Sequence, residues 1–371
     1  MTRIEERLRD AFAATTATIS PEQIRGLPGR PPARRTSTRW RRLAPLAAAA
    51  SVAAVIAAVS ILAPLALSGH HSTATRTPPS SAAANGKIVF ARGALGSHGQ
   101  LWTVNPDGSG LGRLTDLPGV SLYPSWSPDG KKLVFADVAR FARPQNPPSW
   151  LWSLYVINED GTGLHRLTVC RRPGCLQDYE PAWSPDGSQI AFVRNQDIYL
   201  IKPDGTGLRR LTHAATPLGV GQPAWSPDGR KLAFVVFSEG QHQHPAIYVM
   251  NADGTHVTRL THCQSGCLDS EPAWSPDGSK IAFTRNFDVY TMSPDGHDVT
   301  RLTDCARIAG CASAGGPAWS PDGRQIVFWV EGRDSVRQPY IMNADGSDIR
   351  PLIAKTSDVC CFAWQPRPAR S

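Results

Sequence analysis

The sequence predicts an all-β protein, a six-bladed β-propeller whose C-terminal strand completes its first blade. The first observation is a stretch that recurs along the chain, "AWSPDG" at 182–187, 224–229, 273–278 and 318–323. A near copy, "SWSPDG", stands at 125–130, and a shorter one, "AWQP", at 363–366. The tryptophans of these six stretches are 57, 42, 49, 45 and 45 residues apart along the chain. A period near 45 residues is typical of propeller blades.

The second observation is a further motif that keeps step with the first. It reads "NADGTHVTRLT" from residue 251, and its other copies start at 105, 158, 202, 293 and 343. Within 272–303, "PAWS", "KIAFTR", "DVYTM" and "DVTRLT" have the length and composition of four strands. Two "SPDG" turns join them, with Pro at the second position and Gly at the fourth. We expect each turn aspartate to cap turn amides and each tryptophan to fill space between blades.

The two ends of the repeat predict how the ring closes. The repeat begins with a second strand, "GKIVFAR" at 86–92, and no first strand precedes it. It ends with a first strand, "CFAW" at 361–364, that no hairpin follows. We therefore expect the last strand to enter the first blade, which removes the open sheet edges. The predicted propeller spans 86–366 and is followed by a tail, 367–371.

Three segments precede the propeller. Residues 1–42 are predicted as a cytoplasmic tail with a short amphipathic helix, and residues 68–85 as a flexible Ser/Thr/Pro/Ala linker. Residues 43–67 carry no charge and exceed the roughly 20 residues that a helix needs to cross a bilayer. The arginines before them favour a cytoplasmic N-terminus. We expect a single-pass cell-membrane protein with an extracytoplasmic propeller; the alternative is secretion after cleavage of a signal peptide near Ala66–Ser68.

The charge of the chain is concentrated before the propeller. The formal net charge is +8, and residues 1–68 contain 10 Arg against 4 acidic residues. The remainder is almost neutral, so no nucleic-acid partner is predicted. A basic run beside a membrane segment is suited to anionic lipid headgroups.

The pattern "PAWSPDGxxIAF…IYxMNxDGTxxxRLT" resembles the TolB-type, WD40-like (PD40) repeat of bacterial six-bladed propellers. The resemblance covers about residues 86–366 and implies the propeller fold. In TolB itself, a soluble periplasmic protein, an additional N-terminal α/β domain precedes the propeller. This sequence has the apolar segment and the linker in that place.

Strand alternation predicts two unlike faces. All "SPDG" and "DG" turns fall on one face, which we call the turn face. The other face, which we call the mouth face, carries long and dissimilar loops, at 138–150, 169–179, 238–246, 304–316 and 331–338. Variable loops on a repeated scaffold are the usual binding surface.

The residues that directly precede each "PAW"-type triplet should surround the opening of the central channel on the mouth face. These are Tyr123, Glu180, Gln222, Glu271, Gly316 and Cys361, with two acidic residues just outside, Asp178 and Asp269. We predict a binding site for a cation or a basic peptide, made of Tyr123, Asp178, Glu180, Gln222, Asp269 and Glu271. The alternative is a solvated acidic rim that binds nothing.

The eight cysteines are expected in the connections from a fourth strand to the next first strand. Six of them form close pairs in the sequence, and in an exported domain these pairs suggest the disulfides Cys170–Cys175, Cys263–Cys267 and Cys305–Cys311. The adjacent pair Cys360–Cys361 is also a disulfide candidate, and its alternative is two free thiols. A zinc site with help from His213 and His262 is the alternative to the disulfides.

No GxSxG nucleophile elbow occurs in the sequence. We therefore predict a non-catalytic, extracytoplasmic protein-binding or scaffold module, without a cofactor and with a protein or peptide partner. One alternative is a metal-dependent enzyme of lyase or lactonase type at the channel mouth, where "HQH" at 242–244 and Glu239 could ligate a metal. The other is a transmembrane sensor that signals through the N-terminal tail.

Overall fold

The computed structural model of the chain describes residues 84–93, 99–140, 150–169, 177–213, 219–237, 244–262, 266–353 and 358–367. In these ranges the chain forms six four-stranded antiparallel sheets. The prediction of an all-β, six-bladed propeller is confirmed. The predicted cytoplasmic tail, the apolar segment 43–67 and the linker up to residue 83 lie outside the described ranges. Within those ranges, no helix has the length and apolarity required to cross a membrane.

The first three blades follow one another along the chain. Blade 1 consists of β24 (Val359–Arg367), β1 (Ala84–Arg92), β2 (Gln100–Val104) and β3 (Gly112–Arg113). Blade 2 consists of β4 (Val120–Trp126), β5 (Lys132–Arg140), β6 (Trp150–Asn158) and β7 (His165–Arg166). Blade 3 consists of β8 (Asp178–Trp183), β9 (Ile190–Arg194), β10 (Asp197–Ile201) and β11 (Arg209–Arg210).

The other three blades repeat this order. Blade 4 consists of β12 (Gly219–Trp225), β13 (Lys231–Phe237), β14 (Ala246–Asn251) and β15 (Thr258–Arg259). Blade 5 consists of β16 (Asp269–Trp274), β17 (Ile281–Arg285), β18 (Asp288–Met292) and β19 (Thr300–Arg301). Blade 6 consists of β20 (Cys311–Trp319), β21 (Gln325–Gly332), β22 (Arg337–Asn343) and β23 (Arg350–Pro351).

The core lies between the blades, because a four-stranded sheet cannot bury both of its faces alone. Each second strand contributes one fully buried phenylalanine, and these are Phe90, Phe135, Phe192, Phe234, Phe283 and Phe328. In blades 2 to 6 that ring packs on a third-strand tyrosine, with ring centroids 5.8–6.0 Å apart. Each buried apolar cluster draws its side chains from two neighbouring blades, so burial holds the blades to one another.

The recurring tryptophans pack in these interblade clusters, as predicted, and three of them also hydrogen-bond to the preceding blade. The indole N–H of Trp225 donates to the carbonyl of Ala182 in the preceding blade at 3.1 Å. Trp319 and Trp364 make the equivalent bond to the blade before them. Trp183 differs, since its indole donates within its own turn to the carbonyl of Gly187 at 3.2 Å.

The "SPDG" turns are closed by their own side chains. In the turn of blade 3, the Ser184 hydroxyl donates to Asp186 at 2.6 Å, and the same aspartate accepts the backbone N–H of Ser188 at 3.0 Å. These bonds lower the pKa of Asp186. The turn glycine, Gly187, has φ 74°, a conformation that costs glycine little. The predicted capping role of the turn aspartates is thus observed.

The ring closes as predicted. β24 pairs antiparallel with β1 and becomes the first strand of blade 1. The pairing is longer than 361–364, since it extends from Val359 opposite Arg92 to Arg367 opposite Ala84. The first strands of successive blades contact one another around the whole ring, from β24 through β4, β8, β12, β16 and β20. They therefore line the central axis.

Candidate functional site

Six equivalent residues surround the axis at the mouth face, and we call them the axial ring. They are the predicted Tyr123, Glu180, Gln222, Glu271, Gly316 and Cys361, and all six are partly buried. Each has a positive φ between 51° and 63° and lies at a register shift between the first and second strands of its blade. Such a bulge re-aims a side chain out of the regular strand alternation. The structure therefore brings the predicted ring residues together.

Side chains of the axial ring bond to the backbone of the next blade. A Glu180 carboxylate oxygen accepts the Gln222 backbone N–H at 2.7 Å, and the Gln222 side-chain oxygen accepts that of Glu271 at 2.7 Å. Glu271 in turn accepts the Gly316 N–H at 2.7 Å and the Thr284 hydroxyl at 2.8 Å. Blades 3 to 6 are thus linked by a relay of hydrogen bonds.

The other arc of the axial ring is built differently. Gly316 has no side chain that could bond to the backbone of Cys361 in the next blade. A Cβ at Gly316 would lie 2.6 Å from the indole nitrogen of Trp329. The Cys360 thiol and burial raise the pKa of the Cys361 thiol, and the smaller effect of the Tyr123 backbone N–H lowers it. This arc holds a thiol and a phenol where the first arc holds carboxylates and an amide.

Burial raises the pKa of Glu180 to about 7. The hydrogen bond from the Gln222 N–H opposes this shift, and the negative charge of Glu271 adds to it. The ring therefore contains one carboxyl group that changes charge near neutral pH.

The two predicted outer acids already have partners. Asp178 is 1% exposed and receives two hydrogen bonds from Arg194, at 2.6 and 2.7 Å. Asp269 is 2% exposed and receives two from Arg285, at 2.6 and 2.9 Å. In both cases the acid and the arginine face each other across the first and second strands. Their charges are matched within each blade, and the carboxylates that face the opening are Glu180 and Glu271.

A cluster of three aromatic side chains lies beside the axial ring, and we call it the aromatic triad. It consists of Tyr123, Trp152 and Tyr179, whose ring centroids are 6.3–6.4 Å apart in all three pairs. Interplanar angles of 40–53° give tilted contacts, a favoured arrangement for aromatic pairs. All three are partly buried and pack against the apolar core between the blades. A parallel bridge between Trp152 and Gln177 joins blades 2 and 3 beside the triad.

Trp152 and Tyr179 were not predicted as site residues. Neither directly precedes a "PAW" triplet: Tyr179 stands one residue earlier, and Trp152 comes from a third strand. The available signal was the run "SWLWSLY" after a long loop, in which two tryptophans alternate with other residues in a strand that extends toward the mouth face.

Another charged group lies near Gly316. The Arg337 guanidinium stands 4.1 Å from the centre of the Trp329 ring and pairs with Glu331 at 2.9 Å. Glu331 is 4% exposed. Its hydrogen bond raises the pKa of Arg337 against the opposing effect of burial, and Glu271 and Cys360 also contribute. A cation thus stands within electrostatic range of both arcs.

Cys305 and Cys311 form a disulfide, with Cα atoms 5.1 Å apart. Cys267 is also disulfide-bonded. Cys170, Cys175 and Cys263 lie outside the described ranges. The prediction that every cysteine occupies a fourth-to-first connection is wrong for Cys311, the first residue of β20, and for Cys360 and Cys361, which lie within β24. The connections are shorter there because the first strands extend further than their repeat motif.

The described residues contain no group of three or more His, Cys, Asp and Glu side chains that could hold a metal ion. The zinc and enzyme alternatives invoke four histidines and one glutamate. His213, His244 and His262 are described, whereas His242 and Glu239 lie outside the described ranges.

Comparison with known proteins identifies the repeat. The family model for the TolB β-propeller domain, PD40, matches residues 205–313. An uncharacterised protein of Agrobacterium fabrum is 32% identical over 113 residues, which is 30% of this chain and 37% of that protein. A TolB homologue of Chlorobium luteolum is 33% identical over 139 residues, with 29% and 31% of the two chains covered. The chain thus spans about a third of the length of these curated relatives.

Solved structures support the fold. TolB from Acinetobacter baumannii superposes with a TM-score of 0.59 at 21% identity, covering 76% of this chain and 67% of that one. A chain of the nidogen/laminin complex gives 0.58 at 12% identity, covering 75% and 98%. At such identities the likeness concerns the architecture alone.

Proposed function

We propose that this chain, whose repeat is of the TolB β-propeller type, is a protein-binding module that receives its partner on the mouth face. The observation that carries the proposal is the aromatic triad. Tyrosine and tryptophan are the residues most enriched at binding hot spots, because a rigid ring buries a large area at a small entropic cost. The triad is held rigid by its mutual contacts and by the bridge between blades.

The chemistry around the triad defines the partner. Glu180 and Glu271 face the opening, while Asp178 and Asp269 are neutralised by their arginines. We infer a protein or peptide segment that places an apolar or aromatic side chain on the triad and a basic group toward the two glutamates. The name of one relative from Nitratidesulfovibrio vulgaris, 53% identical over 36 residues, assigns it to the Tol-Pal system, and membership of a protein assembly agrees with this proposal.

The place of binding is part of the same proposal. The charge-free segment 43–67 behind its arginines supports a membrane anchor with an extracytoplasmic propeller. Protease added to intact spheroplasts should then digest the propeller, and permeabilised cells serve as the control. Complete protection in intact spheroplasts would contradict this topology.

The binding test compares two matched variants of the full chain. Trp152→Ala removes one ring of the triad, and Leu208→Ala removes an apolar side chain that is 49% exposed beside the outer strand β11. Envelope proteins captured by the wild-type chain should be lost with Trp152→Ala and kept with Leu208→Ala. Equal capture by both variants would exclude the triad as the binding surface.

The role of the glutamates is tested with the captured partner. The double variant Glu180→Gln and Glu271→Gln preserves size and hydrogen-bond acceptors but removes two charges when binding is measured at pH 8, above the pKa of about 7 of Glu180. Binding should weaken and its dependence on salt should decrease, because screened attraction has been removed. Unchanged affinity and salt dependence would leave the two glutamates a structural role alone.

A further inference from the structure

The adjacent cysteines of β24 form a chemically distinct group at the mouth face. The Sγ atoms of Cys360 and Cys361 lie 2.7 Å apart, with the Cys361 thiol donating toward Cys360. Both residues are partly exposed, and within the described ranges they are the cysteines without a disulfide. The two sulfurs thus already point at each other in residues that keep some exposure to solvent.

A bond between these sulfurs would require only a small movement. The separation exceeds a disulfide bond, about 2.0 Å, by less than 1 Å. The Cα atoms of adjacent residues are about 3.8 Å apart across a trans peptide, below the range of about 4.4–6.8 Å that ordinary disulfides span. A bond between neighbours is thus strained, and strain makes a disulfide easier to reduce.

The two sulfurs differ in the charges and hydrogen bonds that surround them. The positive charge of Arg337 interacts favourably with a negative charge on Cys360. Cys361 donates to Cys360 and is buried by its neighbours, and both effects raise its pKa; the nearby charge of Glu271 adds to them. The charge of Arg337 therefore favours Cys360 as the attacking sulfur, because a thiolate is the form that attacks a disulfide.

We propose that Cys360 and Cys361 are a reversible dithiol–disulfide site whose co-substrate is a low-molecular-weight or protein disulfide. The Cys360 thiolate attacks one sulfur of the incoming disulfide, and its other sulfur leaves as a thiolate. That thiolate takes the proton of Cys361, and the Cys361 sulfur then attacks the Cys360 sulfur of the mixed disulfide and expels the second sulfur as a thiolate, which solvent protonates. Two thiols of the protein are oxidised to one disulfide, and one external disulfide is reduced to two thiols.

The site differs in kind from the disulfide Cys305–Cys311. Those two cysteines are six positions apart in the sequence, and their Cα distance of 5.1 Å lies within the ordinary range. That disulfide closes a loop and serves as an internal reference for a stable bond. Cys361 of the adjacent pair belongs to the axial ring, where its sulfur interacts with the backbone N–H of Tyr123. Oxidation of the pair therefore changes the surroundings of one member of the aromatic triad.

The test is a redox titration of the purified full-length chain. The protein is equilibrated with reduced and oxidised glutathione at several ratios and then alkylated. The tryptic peptide 356–370 contains Cys360 and Cys361 and no other cysteine. Under oxidising ratios it should carry no alkyl group and be lighter by two hydrogen atoms; under reducing ratios it should carry two alkyl groups. This change should occur at a more oxidising ratio than the opening of Cys305–Cys311.

Single variants identify the attacking sulfur. Cys361→Ser leaves Cys360 without its resolving partner and should accumulate a mixed disulfide with glutathione. Cys360→Ser should form it more slowly. A pair that remains alkylated on both sulfurs at every ratio would overturn the proposal. So would a pair as resistant to reduction as Cys305–Cys311, or one that cross-links two chains on a non-reducing gel.

Discussion

Both faces of the propeller carry one repeated feature per blade, but the hydrogen bonds of these features differ: those of the turn face lie within one blade, and those of the mouth face join two blades. On the turn face, Ser184 and Asp186 bond within one hairpin, two residues apart. On the mouth face, Glu180 and the Gln222 N–H bond between blades, 42 residues apart. A turn is therefore complete as soon as its hairpin forms. The axial ring exists only once all six blades have closed.

Removal of the closing strand β24 should have the largest effect on stability, because it opens the ring on which the bonds of the mouth face depend. Truncation after Ile353 removes β24, together with buried Val359 and Trp364 and the hydrogen bond from Trp364 to Ala318 of blade 6. Because a domain is stable by only about 5–15 kcal/mol, we expect loss of cooperative unfolding and exposure of the β1 edge. Thermal melting followed by near-UV circular dichroism measures this. A truncated chain that melts at the full-length temperature would contradict closure by β24.

A smaller effect is expected from opening one link of the axial ring. Glu271→Ala leaves the Gly316 N–H and the Thr284 hydroxyl without their acceptor, and should lower the free energy of unfolding by about 2–4 kcal/mol. Glu271→Gln keeps an acceptor oxygen and should cost under about 1 kcal/mol. Urea unfolding of both variants provides the comparison. Equal losses would mean that charge, and not the hydrogen bonds, matters at this position.

Glu180 should make the stability of the mouth face depend on pH. Its pKa is about 7 in the folded chain against an ordinary 4.5, so between these values the folded state binds more protons than the unfolded state. Stability therefore falls as pH rises from about 4.5 to 7, by at most about 3 kcal/mol, and this contribution is constant above that range. Glu180→Gln should remove the slope. Urea unfolding from pH 4.5 to 8 tests this, and parallel curves for variant and wild type would refute it.

The smallest expected effects are on the turn face, and their additivity is informative. Asp186→Ala and Asp228→Ala each remove the acceptor of a local turn, at about 1 kcal/mol each. Their combined effect should equal the sum within about 0.5 kcal/mol, because the two hairpins share no partner. The pair Glu271→Ala and Thr284→Ala should deviate from additivity by more than that, because both side chains accept the Gly316 N–H of the next blade. Similar coupling in both pairs would remove the distinction between the faces.

The same contrast explains what could be predicted from the sequence. The period, the turn chemistry and the offset of the first and last repeats are local patterns, and they were sufficient for the blade count, the closure and the composition of the axial ring. The bonds within the ring were not accessible, because Glu180 meets Gln222 only after blades 3 and 4 are placed side by side. The positive φ of these residues is likewise set by bulges that no repeat motif marks.

The two ion pairs between an aspartate and an arginine could have been predicted from the sequence but were not. Asp178 and Arg194 are nearly equidistant from the turn that joins their strands, so antiparallel register places them opposite each other. The same count pairs Asp269 with Arg285. The aromatic triad is harder, because Trp152 belongs to a strand that extends beyond the repeat unit and Tyr179 to the blade beside it. Their contact depends on tertiary structure, as does the approach of Arg337 to the cysteines.

The pairing of Ala84 with Arg367 determines where anything can be attached to this propeller. β24 runs from the mouth face to the turn face, and β1 starts where β24 ends. The polypeptide thus enters and leaves at neighbouring points on the turn face, and a short linker could join residue 367 to residue 84 in a circular permutant with new termini in any "SPDG" turn. An affinity tag or fused domain at the C-terminus is carried on the turn face. The aromatic triad and the two adjacent cysteines then remain open on the opposite side.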